Sequence, residues 1–493
     1  MISSAQLAKK FLTSISCEEE SPTAGRVLLG KTARALLGFI VLATLPYFIP
    51  ALARYRMPLP AITLSLLERR GDPAPTSIAA PAQAPERVKA ISLTQTETKA
   101  EIKPGEIEDP SGKALHHFFA ALLKAESEGG RVRMSHYGDS PITNDGITAT
   151  VRRKLQLKFG DAGHGFVLLA KPWGWYGHVG VLQDAGRGWQ SNPMFISRGD
   201  HLFGFGGASF TTSAAGVTAN FGTVDEGEVG HRVSSFDIYF LAQPGGGDFE
   251  VEVDGAHYAR VSTASDETRS GFYQVNVESG AHKMTLKTVG NGEVRMFGVV
   301  LESGERGVEY DSLGVNGAFV GLLAHYLDEQ HWIEQLRHRK PDLVILAYGA
   351  NESEYENWPM DKYEQDTKEV IRRIRAALPD ASIMFVAPMD RGKRGAGGQI
   401  ITRPTIPRLV EAQRHIAAET GCAFFDTFTA MGGEGTVARW CEAKPKLMGG
   451  DFTHPTAQGA EIVGTLIYDA LTRAYENYKA RSLALNAQAK AGQ

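Results

Sequence analysis

Val132-Arg133-Met134-Ser135-His136-Tyr137-Gly138-Asp139-Ser140 is the stretch on which the fold turns. Val132 to Tyr137 reads as a short strand, and it runs straight into a Gly-Asp-Ser turn. Beyond the turn, Asp145 to Leu157 reads as a helix, with Ile147, Val151 and Leu155 at fourfold spacing. Upstream, Lys113 to Glu126 reads as a helix with Leu115, Phe118, Phe119, Leu122 and Leu123 on one face, ended by Gly129-Gly130. A strand, a turn bearing a hydroxyl and a helix make the α/β layout that places reactive groups at the carboxyl ends of parallel strands.

The same layout returns near the C-terminus. Leu343-Val344-Ile345-Leu346-Ala347, inside the run Asp342 to Tyr348, is nearly continuous in apolar residues, as a strand buried on both faces requires. Tyr363 to Leu378 then reads as a helix, Ser382 to Ala387 as a second buried strand, Pro407 to Glu419 as a helix and Cys422 to Phe425 as a short strand. Ala457 to Tyr478 is the closing helix. Between these halves, Tyr176 to Gly304 is punctuated by glycine and alternates in polarity. Examples are Phe236 to Leu241, Phe249 to Val253, Tyr273 to Val277 and His282 to Lys287. That pattern predicts an antiparallel β-sandwich inserted at 176–304 into a domain built from 113–175 and 305–480.

Composition limits the function. The chain has 493 residues, room for roughly two to four folded units. With 43% hydrophobic and 22% charged residues and a net charge of -4, it has no basic excess to suggest nucleic acid as a partner. Cysteine is confined to Cys17, Cys422 and Cys441, too few for a disulfide scaffold or a zinc cluster, and Cys422 and Cys441 are left open as a disulfide or as two thiols. No metal or cofactor is expected.

Residues 1–33 are polar and of mixed charge. From Ala35 to Ala53 the chain is apolar, with Lys31 and Arg34 before it. Segment 34–53 is long enough for a membrane-spanning helix and also resembles the core of a signal peptide, with Ala51-Leu52-Ala53 as a small-x-small cleavage site. Residues 54–112 are rich in proline and read as a disordered linker. The expectation is a catalytic domain that is periplasmic or extracellular, tethered to the inner membrane through 34–53 or secreted after cleavage.

Ester chemistry needs a nucleophile, a base, a group that orients the base and donors for an oxyanion. Ser140 sits after a strand in Gly138-Asp139-Ser140, although no G-x-S-x-G elbow surrounds it. Gly314-Val315-Asn316-Gly317-Ala318 follows the extended run Gly307 to Ser312. Tyr348-Gly349-Ala350-Asn351 ends the buried strand, and Asp451-Phe452-Thr453-His454-Pro455 precedes the last helix. Asp451 and His454 are three residues apart, so one turn brings carboxylate to imidazole. A metal reading of that pair lacks further ligands.

These blocks, in this order, resemble the SGNH (GDSL-type) hydrolase family. The resemblance implies a three-layer, flavodoxin-like α/β domain with a parallel sheet. It further implies a triad of Ser140, Asp451 and His454, and an oxyanion hole of the Ser140 and Gly317 N–H groups with the Asn351 side chain. Gly317 is assigned over Gly314. Asp139 is read as a turn-stabilising residue. The other histidines (His116, His117, His136, His164, His178 and His201) are read as structural, and Arg391 to Arg394 as a solvated, mobile run.

The inserted sandwich looks like a carbohydrate-binding module, and the whole is similar to bacterial peptidoglycan O-acetylesterases. That similarity implies a serine esterase acting on O-acetyl groups of an envelope or extracellular polysaccharide. An acyltransferase, a lipase or thioesterase on the same site, or a non-catalytic glycan-binding protein are the alternatives. Trp173, Trp175 and Tyr176 are candidates for sugar contact or for packing.

Overall fold

The computed structural model describes residues 103, 105–197 and 199–491, those from 486 onward by backbone alone. The expected tail (1–33), the apolar segment (34–53) and most of the linker lie outside the described residues. Among the described residues no helix is long and apolar enough to cross a membrane.

A mixed sheet forms the α/β half. Its order is Ile107–Glu108, Ala423–Phe425, Ser382–Val386, Leu343–Ala347, Arg131–Gly138 and Gly307–Gly314. The five longer-range partners pair in parallel, and Ile107–Glu108 adds antiparallel to the Ala423–Phe425 edge. In chain order the parallel strands run 2-1-3-4-5, the doubly wound, flavodoxin-like arrangement expected. The expected linker boundary at 112 is corrected: Ile107 and Glu108 belong to the sheet, because an open edge strand can be capped by any short extended segment regardless of composition.

The apolar runs alternate between the two faces. Leu343 and Ile345 pack with Val132 and Met134 against helices His116–Glu128, Gly146–Phe159 and Ala457–Ala491. Val344 and Leu346 face the other way, toward helices Val320–His325, Glu329–Arg339, Met360–Ala377 and Thr405–Thr420. Burial on both faces explains why these strands read as unbroken hydrophobic stretches.

The insertion is a sandwich of two antiparallel sheets. One orders Ala256–Ser262, Asp248–Val253, Lys283–Thr288, Thr218–Thr223 and Val181–Ala185. The other orders Arg269–Gly280, Val233–Ala242, Val294–Glu302, Ala208–Thr212 and Gln190–Pro193. The sheets meet through side chains such as Phe240 and Phe249, whose ring centroids lie 5.6 Å apart. The expected start at 176 is corrected to about 163. Gly163–Leu168 pairs antiparallel with Val294–Glu302, so the sandwich takes its first strand directly from the segment after the Gly146–Phe159 helix.

Charge welds the insertion to the sheet. Arg339, 2% exposed, lies 2.9 Å from Asp311, 2.7 Å from Glu309 and 3.4 Å from Glu302. Arg133 meets Glu302 at 3.0 Å and Glu309 at 3.3 Å, and Arg131 bonds to Glu302 as well. Glu302 ends the last sandwich strand, whereas Glu309 and Asp311 lie in the Gly307–Gly314 strand. Burial pushes the Glu302 carboxyl up, but Arg339, Arg133 and Arg131 outweigh it and hold it down at about 2. Asp311 also accepts from Ser135 Oγ at 2.7 Å and from the Phe166 N–H at 2.8 Å, tying the Arg131–Gly138 strand to the sandwich strand Gly163–Leu168.

Removing one partner of such a set strands the others in low dielectric, at a cost of about 3–5 kcal/mol. Arg339→Met is therefore expected to lower the unfolding free energy by about that amount in urea titrations. A cost under about 1 kcal/mol would mean that the network does not hold the two parts together.

Candidate active site

Three strand ends build the site. In register, Gly138 stands beside Gly314 on one side and Ala347 on the other. A side chain at Gly138 is excluded, since a Cβ there would lie 2.6 Å from Ile142 Cγ1 and 3.0 Å from the Ala347 carbonyl oxygen. The chain turns tightly into the short 3₁₀ helix Ser140–Ile142, with Pro141 just inside it, which holds Ser140 at the sheet edge.

His454 reaches that hydroxyl from the far end of the chain. Its Nε2 lies 2.7 Å from Ser140 Oγ, and its Nδ1 lies 2.6 Å from Asp451 Oδ2. The other Asp451 oxygen accepts the N–H groups of Thr453 at 3.0 Å and His454 at 3.1 Å, so a single carboxylate fixes both ring and backbone. Burial pushes the Asp451 carboxyl up, but these bonds prevail and hold it below the usual carboxylate range. Phe452, between them, is held at φ 59°, a left-handed conformation unusual for a bulky residue, with Arg394 at 5.3 Å from its ring centroid.

The second and third blocks interlock. Asn351 Nδ2 donates to the Ala318 carbonyl at 2.9 Å, which ties the asparagine to the residue after Gly317. Gly317 has φ +75°, a backbone conformation that favours glycine, and a Cβ there would lie 2.6 Å from the Phe195 ring. Gly314 instead ends its strand opposite Gly138. Among the described residues neither the Ser140 nor the Gly317 N–H donates to another protein group. The structure thus places Ser140, Asp451 and His454 in one hydrogen-bonded chain, and links Asn351 to the Gly317 turn across the same strand edge.

Asp139 is buried, and its carboxylate accepts the Ala350 N–H at 2.9 Å, fixing the loop that carries Asn351. Burial pushes its pKa up to about 7, against the opposing pull of Ala350, Arg391 and His454. Glu352 is a second buried acid, raised to about 8 by burial, and accepts the Val320 N–H at 2.9 Å. Nothing in the sequence marks Glu352 as buried, because it looks like one of several acids in a polar loop.

Arg391 corrects the expectation of a solvated run. Its side chain is only 15% exposed. It donates to Thr453 Oγ1 at 2.8 Å, to Ser353 Oγ at 3.1 Å and to the Ala350 carbonyl, and it pairs with Glu354 at 2.6 Å. It thereby joins the asparagine loop to the histidine loop. The following residues are not a loose loop, since Gly392–Arg394 pairs with Ile400–Thr402 as a hairpin. A charged residue buried by contacts this distant leaves no local pattern to read.

The histidines divide. His136, His164 and His178 are buried, His136 with Nδ1 2.8 Å from the Tyr310 hydroxyl and its pKa pushed down to about 3 by burial. Tyr176 is buried and accepts the Leu168 N–H at 2.9 Å, whereas Trp175 is exposed. Cys422 and Cys441 are both free thiols. No group of three or more metal-ligating side chains occurs among the described residues.

The chain is similar to known proteins over part of its length. Residues 284–462 match the model of the GDSL-like lipase/acylhydrolase family, a span that includes Gly317, Asn351, Asp451 and His454 but not Ser140. An acetylxylan esterase of Xylanibacter ruminicola is 24% identical over 162 residues, which cover 30% of this chain and 32% of that protein. The chain thus spans about a third of the length of that curated relative. A solved structure of a peptidoglycan O-acetylesterase superposes with a TM-score of 0.64 at 22% identity, covering 75% of this chain and 99% of that one. The latter likeness is one of fold.

The buried Asp139 generates a pH signature. In the unfolded chain its carboxyl ionises near the ordinary 3.8, in the folded chain only near 7. Between those values the native state holds the extra proton, so this group makes stability fall as pH rises from about 4 to about 7. Asp139→Asn lacks that linkage. Urea midpoints taken across the window are expected to show wild type losing ground to the variant as pH rises, and parallel profiles would refute the assignment.

Proposed function

We propose that the chain is a serine esterase of the GDSL-like (SGNH) type that removes O-acetyl groups from an envelope or extracellular polysaccharide such as peptidoglycan, a reading supported by the match of residues 284–462 to the GDSL-like lipase/acylhydrolase family model. The observation that carries the reading is the chain of contacts from Ser140 Oγ through the His454 imidazole to Asp451, 2.7 Å and 2.6 Å long.

In this reading His454 Nε2 takes the Ser140 proton as Oγ bonds to the ester carbonyl carbon. The electron pair moves to the carbonyl oxygen, which meets the N–H groups of Ser140 and Gly317 and the second amide hydrogen of Asn351. When the tetrahedral adduct collapses, the C–O bond to the sugar breaks and His454 returns the proton to the leaving alkoxide. Water, deprotonated by His454, then adds to the acyl carbon, the bond to Ser140 Oγ breaks as His454 returns the proton to Oγ, and acetate leaves. Asp451 holds the imidazole in the required tautomer and stabilises its charged form.

The glycan substrate is supported by what the relatives are named for, peptidoglycan in one and acetylated xylan in the other. The proposed setting is periplasmic or extracellular, with the apolar segment 34–53 as tether or leader, supported by its sequence.

Acetate release from O-acetylated peptidoglycan and from acetylated xylan is the direct test. Ser140→Ala is expected to cost at least about 10⁴-fold, and Asn351→Ala about 10²–10³-fold in kcat. Wild type releasing no more acetate than Ser140→Ala from either polymer or from 4-nitrophenyl acetate would end the proposal. Arg391→Met is expected to lower kcat by up to about 100-fold with KM less affected, because it uncouples the two loops. Arg391→Lys should recover part of the loss, and an unchanged kcat for the methionine variant would remove Arg391 from a positioning role.

A further inference from the structure

Beside the oxyanion side of the site lies a run of aromatic rings that ester chemistry does not use. Phe195 follows the sandwich strand Gln190–Pro193 and is held by a turn in which the Ile196 and Ser197 N–H groups donate to Pro193. Its ring covers Gly317. The Phe319 centroid lies 6.5 Å from Phe195, and Phe319 stacks on Trp358 at 5.2 Å with 3° between planes. Tyr355 completes the run, 5.5 Å from Trp358. The rings start over Gly317 and end on the loop that follows Asn351.

Two of these rings are left to solvent, Phe195 at 43% and Tyr355 at 54% exposed. Keeping large apolar faces in water forgoes burial free energy, and a contiguous exposed patch beside a reactive hydroxyl marks a binding surface. The rim is charged: Lys393 pairs with Glu356, and Arg403 lies 2.9 Å from Glu354. A long acyl chain calls for an enclosed apolar groove. An open shelf with a charged rim suits a hydrated polymer whose rings have apolar C–H faces and a hydroxyl-bearing edge.

Resting on the esterase reading above, we propose that Phe195, Phe319, Trp358 and Tyr355 form a sugar-stacking subsite for the pyranose rings that flank the esterified one. The inserted sandwich thereby takes part in substrate binding at the catalytic edge through Phe195.

The test measures equilibrium binding to the full chain carrying Ser140→Ala, so that the ester persists. The probes are O-acetylated xylo-oligosaccharides and muramidase-released O-acetylated peptidoglycan fragments, titrated by calorimetry. Adding Phe195→Ala or Tyr355→Ala is expected to weaken Kd about tenfold for at least one probe, with Phe195→Trp and Tyr355→Trp retaining affinity. Tyr258→Ala, on the sandwich strand Ala256–Ser262, is expected to leave Kd unchanged.

Kd within twofold of the parent for both alanine variants overturns the subsite, as does equal weakening by all three. Failure of the parent to bind either probe overturns it too. In each case, acetate release from 4-nitrophenyl acetate by the wild type, absent in Ser140→Ala, separately decides whether the esterase reading stands.

Discussion

Everything at the proposed catalytic edge depends on three parallel strands finishing in step. Gly138, Gly314 and Ala347 lie side by side in the register, so the turns that follow them leave the sheet from one line. Ser140, Gly317 and Asn351 are two, three and four residues beyond those ends. A slip of one residue in either pairing would turn the side chains of that strand to the opposite face and break both cores at once. Burial on both faces therefore fixes the register, and the register fixes the distances among the groups that chemistry would need. The Arg131–Gly138 strand also lies where the chain order reverses, with the second strand on one side and the third on the other. In open α/β sheets that switch point is where ligands bind.

The long insertion sits within this constraint without disturbing it. It leaves after Gly146–Phe159 and returns into Gly307–Gly314, the strand whose register matters most. A floppy insertion would let that strand drift. Here the last sandwich strand, through Glu302, shares its arginines with Glu309 and Asp311 on the returning strand, while Gly163–Leu168 pairs with that same last strand. Buried ion pairs gain little over apolar packing, but they are demanding in geometry, and geometry is what the junction must supply.

Much of this was legible in the sequence. The apolar runs at 343–347 and 382–386 announced strands buried on both faces, and the structure places them in the centre of the parallel sheet. The alternating stretches at 236–241 and 249–253 announced sandwich strands, and both are strands of the insertion, although Tyr239 and Leu241 are buried as well as Phe236 and Ile238. Ser140, Asp451 and His454 were readable because the proposed chemistry needs particular residue types at particular points in the chain, and the structure brings the three into one hydrogen-bonded chain. What escaped reading depended on partners far away. Arg391 looked like any surface arginine beside glycines, yet its acceptors lie at Ala350, Ser353 and Thr453. Ile107 and Glu108 sat in a proline-rich stretch and became strand only because the sheet edge was open to them. The insertion's first strand was missed because Gly163 to Leu168, buried throughout, has no alternation to distinguish it from the α/β part.

The Asp451–His454 pair is the least buried part of the site, with side chains 53% and 44% exposed. An ion pair that open to water contributes little to its own persistence. Its precision must come from what lies beneath. The Gly449 N–H donates to the His454 carbonyl at 2.8 Å, the Asp451 carboxylate closes its own loop, and Arg391 pins Thr453 from below. Phe452 in a left-handed conformation is tolerated because these bonds over-determine the turn. The proposed base is thus partly open to solvent but fixed in its frame. It is reachable by water and by a bulky ester, while its position relative to Ser140 is inherited from Arg391 and Asp139, which both hold the asparagine loop. Those two buried charges carry a cost in desolvation, visible in the raised Asp139 carboxyl and the lowered Arg391 guanidinium, that an apolar interior would avoid. The cost is understandable only if what they align, a hydroxyl, an imidazole and an amide from three distant parts of the chain, has to be held together for use.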